Sequence, residues 1–232
     1  MTAQVEFDAF FVTHDGDMRK KVTVTKAVVG GWTGRNKTAL QHHIDELAKI
    51  GVKPPATTPL FYRVGVSRLS SADTIEVIGD GSSGEVEYVL LMLDDTIWVG
   101  AGSDHTDRVV EHMGITVAKQ LCDKPIATTF WPLAEVEGHW EQLCLRSYVD
   151  EVGARVLYQD GRVSGLLSPA ELLAAYRETG KELENGTLMF GGTCGAIGGV
   201  RFSPRFDLEL VDPVLGRTIS HSYGIVTVPI LG

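Results

Sequence analysis

The feature that most constrains the fold of this chain is a pair of apolar runs separated by two aspartates. Val86 to Leu93 and Thr96 to Val99 are rich in residues that favour strands, and Asp94-Asp95 lies between them. Two such runs with a short polar connection predict two antiparallel strands joined by a tight turn. The length of that turn decides which residues of the two strands lie opposite one another.

Three carboxylates converge if the connection is a two-residue turn. Counting back from the turn in antiparallel register places Glu87 opposite Gly102 and Glu85 opposite Asp104. Glu85 and Glu87 are two residues apart, so both side chains point to one face of the strand. Such a cluster requires a cation or a shared proton, and an oxygen-only set selects Mg²⁺, Mn²⁺ or Ca²⁺ over zinc. The alternatives are a solvated strand face and a register shifted at the flanking glycines.

The composition predicts one globular domain covering residues 1–232. A hydrophobic content of 44%, a charged content of 22%, and 26 glycines against nine prolines indicate a strand-rich chain with many turns. No apolar run approaches the roughly 20 residues of a membrane span. A formal net charge of −9 without a basic tract argues against a nucleic-acid partner. A small anionic substrate would therefore need local positive charge, such as a divalent ion with a few Arg or Lys side chains.

The amino terminus and the cysteines predict a cytoplasmic protein. Met1 to Phe7 lacks the basic start and apolar core of a secretion signal. Cys122, Cys144 and Cys194 are an odd and widely spaced set without metal-type pairing. This pattern fits reduced thiols in the cytosol.

A helix is predicted from Lys37 to about Ile50, closed by Gly51. His43 and Glu46 are three residues apart and therefore neighbours on its surface, where the carboxylate can fix the imidazole tautomer and raise its basicity. These are the parts of a general base, although most such pairs are ordinary surface pairs. The glycines before the helix and the prolines after it favour a bounded lid over an active site.

Two cationic residues follow the acidic hairpin. The segment His105 to His112 is predicted to be helical, which places Arg108 one turn after Asp104 on the same side. Arg108 either pairs with Asp104 or binds a substrate carboxylate or enolate. Lys119 lies in the mostly apolar segment Ile115 to Cys122, where a lysine is out of place unless it is paired or catalytic.

Most of the remaining chain is predicted to be scaffold. Strands are expected at Val5 to Val12 and Lys21 to Val29 as an opening hairpin, at Leu60 to Val66, Thr74 to Ile78, Leu143 to Val149 and Ala154 to Tyr158, and at Phe206 to Val211 and Arg217 to Val228. Gln159 to Gly161 is expected to form a turn, and Ser168 to cap a helix that ends near Glu178.

The strand from Leu188 to Thr193 ends in Gly-Gly-Thr. Glycine allows a backbone amide to approach closely, and the threonine adds a hydroxyl, so Gly192 and Thr193 are candidates for contact with a bound anion. A plain turn is the alternative.

The order of these motifs resembles the fumarylacetoacetate hydrolase superfamily. Members carry a glycine-rich strand end, a lid with His-x-x-Glu, a Pro-x-Phe approach to Glu-x-Glu, an Asp with an Arg four residues later, a Lys, and a Gly-Thr strand end. This chain has, over roughly residues 25 to 195, Gly30-Gly31, His43-Ile-Asp-Glu46, Pro59-Leu-Phe61, Glu85-Val-Glu87, Asp104 with Arg108, Lys119 and Gly192-Thr193. It departs from the family where Ser103 replaces the usual Asn and Cys194 follows Gly192-Thr193 in place of Pro.

The resemblance implies an α+β, β-rich fold, a mixed β-sheet roll with a short helical lid and peripheral helices, in a protein that forms homodimers. It also implies the roles of the site residues: Glu85, Glu87 and Asp104 bind Mg²⁺ or Mn²⁺, His43 and Glu46 form the lid dyad that activates water or moves a proton, and Arg108, Lys119, Gly192 and Thr193 contact the oxo-acid end of the substrate or a developing oxyanion.

The activity implied by the resemblance is cleavage of a carbon–carbon bond in a small 2-oxo acid or acylpyruvate, by a hydrolase or decarboxylase that uses a metal-stabilised enolate. The same site suits a hydratase or isomerase, because these reactions share the intermediate. A third hypothesis is a metal-dependent binding protein with little turnover, motivated by the departures at Ser103 and Cys194.

Overall fold

The computed structural model describes residues 3–49, 51 and 53–231, with the side chains at positions 43, 46 and 47 outside the described set. Strands make up most of the regular structure: β1 (Val5–Phe11), β2 (Met18–Val24), β3 (Lys26–Gly31), β4 (Leu60–Val64), β5 (Leu69–Ser70), β6 (Thr74–Ile78), β7 (Ser82–Ser83), β8 (Val86–Leu93), β9 (Thr96–Ser103), β10 (Thr106–Asp107), β11 (Lys124–Pro125), β12 (Thr129–Pro132), β13 (Cys144–Glu151), β14 (Ala154–Arg162), β15 (Thr187–Thr193), β16 (Arg205–Asp212) and β17 (Arg217–Val228).

The helices are short and lie between the strands. They are α1 (Lys37–Lys49), α2 (Ile115–Leu121), α3 (Leu133–Val136) and α4 (Pro169–Glu178), with 3-10 turns at Val66–Arg68, Glu111–Met113, Glu137–Gln142 and Val163–Gly165. Few helices around extensive sheets confirm the predicted α+β, β-rich class. Within the described residues, no helix is long and apolar enough to cross a membrane.

The larger sheet has the strand order β2-β1-β12-β9-β8-β15-β3-β4 and mixes parallel with antiparallel pairs. The acidic hairpin of β8 and β9 lies at its centre. Its partner is a second sheet with the order β14-β13-β16-β17-β6. The central position of β8 follows from its sequence, since an apolar run without polar alternation is typical of a strand buried on both faces.

Alternate residues of β8 enter two different hydrophobic clusters. Tyr88 and Leu90 pack in a cluster that also contains Leu208 from β16, so this face of the strand joins the two sheets. Val89 and Leu91 point the other way, into a second cluster with aromatic residues of β1 and β12. The hairpin is thereby held from both sides, which fixes the carboxylates at its end.

Several predicted elements are confirmed with small changes of boundary. Helix α1 spans Lys37–Lys49 within the predicted range, and the predicted limit at residue 50 lies outside the described residues. Helix α4 begins after Ser168, whose hydroxyl accepts from the backbone of Glu171 while the Glu171 carboxylate accepts from the backbone of Ser168. The reciprocal pair satisfies amides that the first helical turn leaves without partners.

Two predictions for the scaffold are wrong. The second strand of the opening hairpin is interrupted at Thr25, so β2 pairs with β1, whereas β3 leaves to pair with β4 and β15. The expected turn from Gln159 to Gly161 belongs to β14, which continues to Arg162. Gln159 is a buried strand residue, and its side-chain amide hydrogen-bonds the Val86 amide and the Thr193 hydroxyl. Residue types that are common in turns were therefore a misleading signal at this position.

Candidate metal centre and its cavity

The predicted register of the acidic hairpin is confirmed. Leu93 pairs with Thr96, Glu87 pairs with Gly102, and the ladder continues as the Asp104 amide donates to the Glu85 carbonyl at 3.0 Å. The two turn aspartates both have positive φ, the conformation that two-residue hairpin turns require. The turn therefore aligns carboxylates that lie seven to nine residues away from its two aspartates along the strands.

We call Glu85, Glu87 and Asp104 the carboxylate floor. One oxygen from each lies within 4.8 Å of the others, and Glu87 and Asp104 are almost completely buried. Burial, followed by the charge of Asp104, holds the pKa of Glu87 well above its usual value. Three carboxylates at this spacing fit a hard divalent ion such as Mg²⁺ or Mn²⁺, which prefers oxygen ligands.

Glu87 is oriented by the end of β15. The Gly192 amide donates to Glu87 Oε2 at 2.8 Å. Gly192 has a φ of +109°, and a Cβ at this position would lie 1.9 Å from Thr33 Oγ1, so glycine is required. The anion that this amide contacts in the structure is therefore a protein carboxylate. A contact between Gly192 and substrate stays a prediction.

Thr193 joins the same network. Its hydroxyl donates to the Val86 carbonyl at 2.8 Å and accepts from Gln159 Nε2 at 2.8 Å. Gln159 Oε1 in turn accepts from the Val86 amide at 2.9 Å. Gln159 was not predicted as a site residue, since nothing in the neighbouring sequence distinguishes a buried amide from a turn residue. The substrate contact predicted for Thr193 is likewise untested.

Asp104 lies between two buried lysines. Lys119 Nζ, from α2, donates to Asp104 Oδ2, and Lys124 Nζ lies 3.4 Å from Oδ1. Burial alone would raise the pKa of Asp104, but the two ammonium groups outweigh it and hold the pKa at about 2. The expectation that Lys119 must be paired or catalytic is met by this pairing and by its place in the cavity wall.

Lys124, a fully buried lysine in the short strand β11, was not predicted as a site residue. Its ammonium also donates to the carbonyls of His105 and Cys122. Burial lowers its pKa, although Asp104 opposes the shift. The one available signal was a lysine immediately before the apolar segment that starts at Pro125.

Arg108 reaches the floor by a different route from the one predicted. The helix expected from His105 to His112 is absent, and the chain instead forms β10, a turn and the 3-10 turn Glu111–Met113. Asp107 Oδ1 accepts from the amides at positions 109 and 110 and closes that turn, so the side chain competes with helix formation. Arg108 Nη2 lies 2.9 Å from Glu85 Oε1, so the ion pair forms with Glu85 in place of Asp104.

The segment between the floor and Arg108 is fixed by a buried polar network. Ser103 Oγ accepts from the Glu85 amide at 3.2 Å and lies 2.8 Å from the Tyr223 hydroxyl. His105 bridges Tyr223 and Ser82 through its two ring nitrogens, at 3.1 and 2.9 Å. Burial and then Lys124 lower the pKa of His105 to about 3, so the imidazole is neutral. Ser103, which stands where the resembled superfamily usually has Asn, thus holds the backbone of Glu85 in the carboxylate floor.

A cavity of about 630 Å³ opens above the carboxylate floor. All three floor residues line it, as do Arg108, Lys119, Gly192 and Thr193. The structure therefore brings together every predicted site residue whose side chain it describes.

Helix α1 borders the cavity through Ala39 and Leu40, and Asn36, immediately before the helix, also lines it. Position 43 follows Leu40 by one helical turn. The side chains of His43 and Glu46 lie outside the described residues. The general-base dyad predicted for the lid therefore stays a prediction.

Comparison with known proteins places the chain in a sequence family and identifies its fold. A family model described as "Protein of unknown function (DUF2848)" matches residues 30–223. No curated protein sequence matches the chain. Solved structures with the same fold include several that are 12% to 20% identical to it.

Three of these structures illustrate the likeness. A candidate fumarylacetoacetate isomerase/hydrolase from Oleispira antarctica superposes with a TM-score of 0.66 at 17% identity, covering 93% of this chain and 99% of the other. A yeast fumarylacetoacetate hydrolase family protein gives 0.63 at 18%, covering 88% and 94%. A fumarylpyruvate hydrolase from Pseudomonas aeruginosa, solved with Mn²⁺ and pyruvate, gives 0.62 at 18%, covering 95% and 96%. The fold implied by the sequence resemblance is confirmed.

Proposed function

The chain belongs to the family described as "Protein of unknown function (DUF2848)", and from its site we propose that it is a divalent-metal-dependent enzyme that cleaves a carbon–carbon bond in a small 2-oxo acid. The reaction is hydrolysis of an acylpyruvate-type substrate or decarboxylation of a related oxo acid. The observation that carries the proposal is the carboxylate floor, with three acidic oxygens within 4.8 Å of one another at the base of a cavity.

The floor residues Glu85, Glu87 and Asp104 would hold the ion. When bound, a divalent cation supplies the positive charge that stabilises the electron pair left on the oxo-acid fragment as the bond breaks. Mg²⁺ and Mn²⁺ both suit this donor set. The Mn²⁺ and pyruvate in the structure from Pseudomonas aeruginosa support the choice of metal and of a 2-oxo acid, because the two proteins share this fold.

Arg108 and Lys119 supply fixed positive charge at the edge of the floor. Arg108 Nε is buried without a hydrogen-bond partner among the described residues, so a donor is available for a substrate oxygen. Lys119 lines the cavity, and its Nζ lies 5.6 Å from the centre of the Tyr62 ring. Because the burial cost of these cations is already offset by neighbouring carboxylates, they are preorganised to stabilise an oxyanion.

Proton transfer is assigned to α1 on the basis of the sequence. His43, oriented by Glu46, would take a proton from the water that attacks the distal carbonyl of the substrate. The position of α1 at the cavity border supports this role, since Ala39 and Leu40 of the same helix line the cavity. Homodimer formation and a cytoplasmic location remain predictions.

Turnover of a panel of acylpyruvates and oxo acids, before and after metal removal, tests the proposal. Chelation with EDTA should abolish turnover, and Mg²⁺ or Mn²⁺ should restore it. His43→Ala should bind the metal with unchanged affinity in calorimetry but lose at least about 100-fold in kcat, the usual contribution of a general base. Full activity in a metal-free preparation would rule the mechanism out.

Mass spectrometry of the products separates the reactions that share this site. Hydrolysis gives two fragments with one added water, and decarboxylation releases carbon dioxide. Hydration adds water without splitting the substrate and would identify a hydratase instead. Tight binding without turnover across the whole panel would identify a binding protein.

A further inference from the structure

In the described part of the cavity wall, positive charge is found at the edge of the carboxylate floor. Among the described residues that line the cavity, the cationic side chains are Arg108 and Lys119. Each is already engaged by an acid of the floor, Lys119 by Asp104 and Arg108 by Glu85. These charges balance the floor and the oxo-acid end of a substrate. They leave no cation in the described wall for a second carboxylate further along the cavity.

Glu111 adds a fourth carboxylate to the cavity lining, outside the floor. It lies in the 3-10 turn that replaces the predicted helix, and its side chain is 18% exposed. Both of its oxygens are 3.4 Å from Arg108 Nη1, on a guanidinium that also pairs with Glu85. Glu111 therefore offsets part of the charge of Arg108 and presents a negative charge to any other anion in the cavity.

Most side chains of the remaining wall are apolar, and its polar ones, such as Thr33, Asn36 and Tyr158, carry no charge. Tyr62 and Leu166 are buried and Trp32 is half-buried, and the Tyr62 hydroxyl is already used, since it accepts from Trp32 Nε1 at 3.0 Å. The other apolar lining residues include Leu40, Ile115 and Val200. A carboxylate placed against these side chains would lose its hydration without gaining a charged partner, which is costly. An uncharged hydrocarbon group would instead gain from burial.

We infer that the substrate is an acylpyruvate with a single carboxylate and an uncharged, apolar distal group, and that Glu111 is a specificity-determining residue that disfavours diacids. Of the two proposed reactions this selects hydrolysis, because decarboxylation through an enolate requires a second carboxylate beta to the oxo group. The inference rests on the proposed function for the metal-bound end of the substrate. It adds the class of the distal group, which the sequence left open. Like-charge juxtaposition strongly suppresses wrong partners, so a single carboxylate in the wall can set this preference.

A pair of substrates that differ only in the distal group tests the inference. The metal-loaded protein is assayed with two acylpyruvates of equal chain length, one ending in methyl and one in carboxylate. We expect kcat/KM to be at least about tenfold higher for the methyl-ended compound. Glu111→Gln should raise kcat/KM for the carboxylate-ended compound about fivefold more than for its partner. Glu178→Gln, at the exposed end of α4, is the matched control and should leave the ratio unchanged.

A binding measurement separates this inference from the proposed reaction. 2-Oxohexanoate and 2-oxoadipate have equal length and lack the second oxo group that cleavage requires, so calorimetry on the metal-loaded protein compares their affinities alone. Preferential binding of 2-oxohexanoate without any cleavage activity would overturn the reaction and leave the specificity standing. Equal or tighter binding of 2-oxoadipate, or an equal effect of Glu111→Gln on both substrates, would overturn the inference. Binding of neither acid would overturn the specificity inference, whereas the proposed reaction is decided separately by turnover of the acylpyruvate panel.

Discussion

The two sides of the candidate site are built in different ways. The carboxylate floor comes from a strand ladder, in which each residue of β8 has a fixed partner on β9. The cations come from residues 105 to 124, a segment of short strands and turns with the single short helix α2. In a strand ladder, the turn determines which residues lie opposite one another many residues away, because the spacing along each strand is regular. In a connecting segment, the position of each residue depends on its individual side-chain contacts. It therefore cannot be found by counting residues along the sequence.

Removal of Asp104 is expected to have the largest effect, because this residue joins the two sides. Asp104→Asn should abolish measurable Mg²⁺ or Mn²⁺ binding and leave Lys119 and Lys124 without a full counter-charge. We expect the free energy of unfolding to fall by about 3–5 kcal/mol, as when one partner of a buried ion pair is lost. Calorimetric metal titration and urea unfolding measure the two effects.

The control for Asp104→Asn is Asp95→Asn in the hairpin turn. Asp95 is exposed and has a φ of +58°, which asparagine also tolerates. This variant should keep metal affinity and stability close to those of the unmodified protein. Metal affinity retained within about threefold in Asp104→Asn, a change of under 1 kcal/mol, would show that the floor is not the metal site.

The sequence was sufficient to predict the floor for a physical reason. The hairpin register depends on the turn length alone, and the two aspartates adopt the positive φ that a two-residue turn requires. Glu85, Glu87 and Asp104 could therefore be placed together by counting. The fold followed from the order of the motifs, and α4 from its capping box.

On the cationic side of the site, Arg108 and Lys119 were predicted as site residues, but the local structure that positions Arg108 was not. Arg108 was assigned to a helix, whereas a turn closed by the Asp107 carboxylate positions it. Lys124 and Gln159 were missed, because their burial depends on contacts with residues far away in the chain. Local pattern gives no signal for such contacts, since lysine and glutamine are usually exposed.

Lys119 and Lys124 both contact Asp104, and comparing their variants separates a structural role from a catalytic one. Lys124 is fully buried behind Asp104, whereas Lys119 lines the cavity. Lys124→Met should lower the free energy of unfolding by about 2–3 kcal/mol, since it removes one charged donor from buried oxygens. Lys119→Met should cost less stability, because water in the cavity can solvate Asp104, but should reduce kcat more strongly.

Urea unfolding measures the stability of the two lysine variants, and steady-state kinetics on the same variants measures their kcat. Lys119→Arg is a suitable additional variant, since it keeps the charge while changing the shape of the donor. If Lys124→Met lowered kcat more than Lys119→Met at equal stability, the assignment of the catalytic cation to Lys119 would be wrong.

The smallest expected effect concerns how the floor is oriented by β15. Gly192→Ala places a Cβ 1.9 Å from Thr33 Oγ1 at a φ of +109°, so Thr33 or the backbone must move. Strain of this kind costs about 1–3 kcal/mol. The Gly192 amide would then shift from Glu87 Oε2, so metal affinity should also fall. Gly195→Ala is the matched control, because no atom lies within 4 Å of its added Cβ. Calorimetry on both variants measures the affinity, and equal metal binding in the two would mean that Glu87 needs no support from β15 and that the strand ladder alone positions the floor.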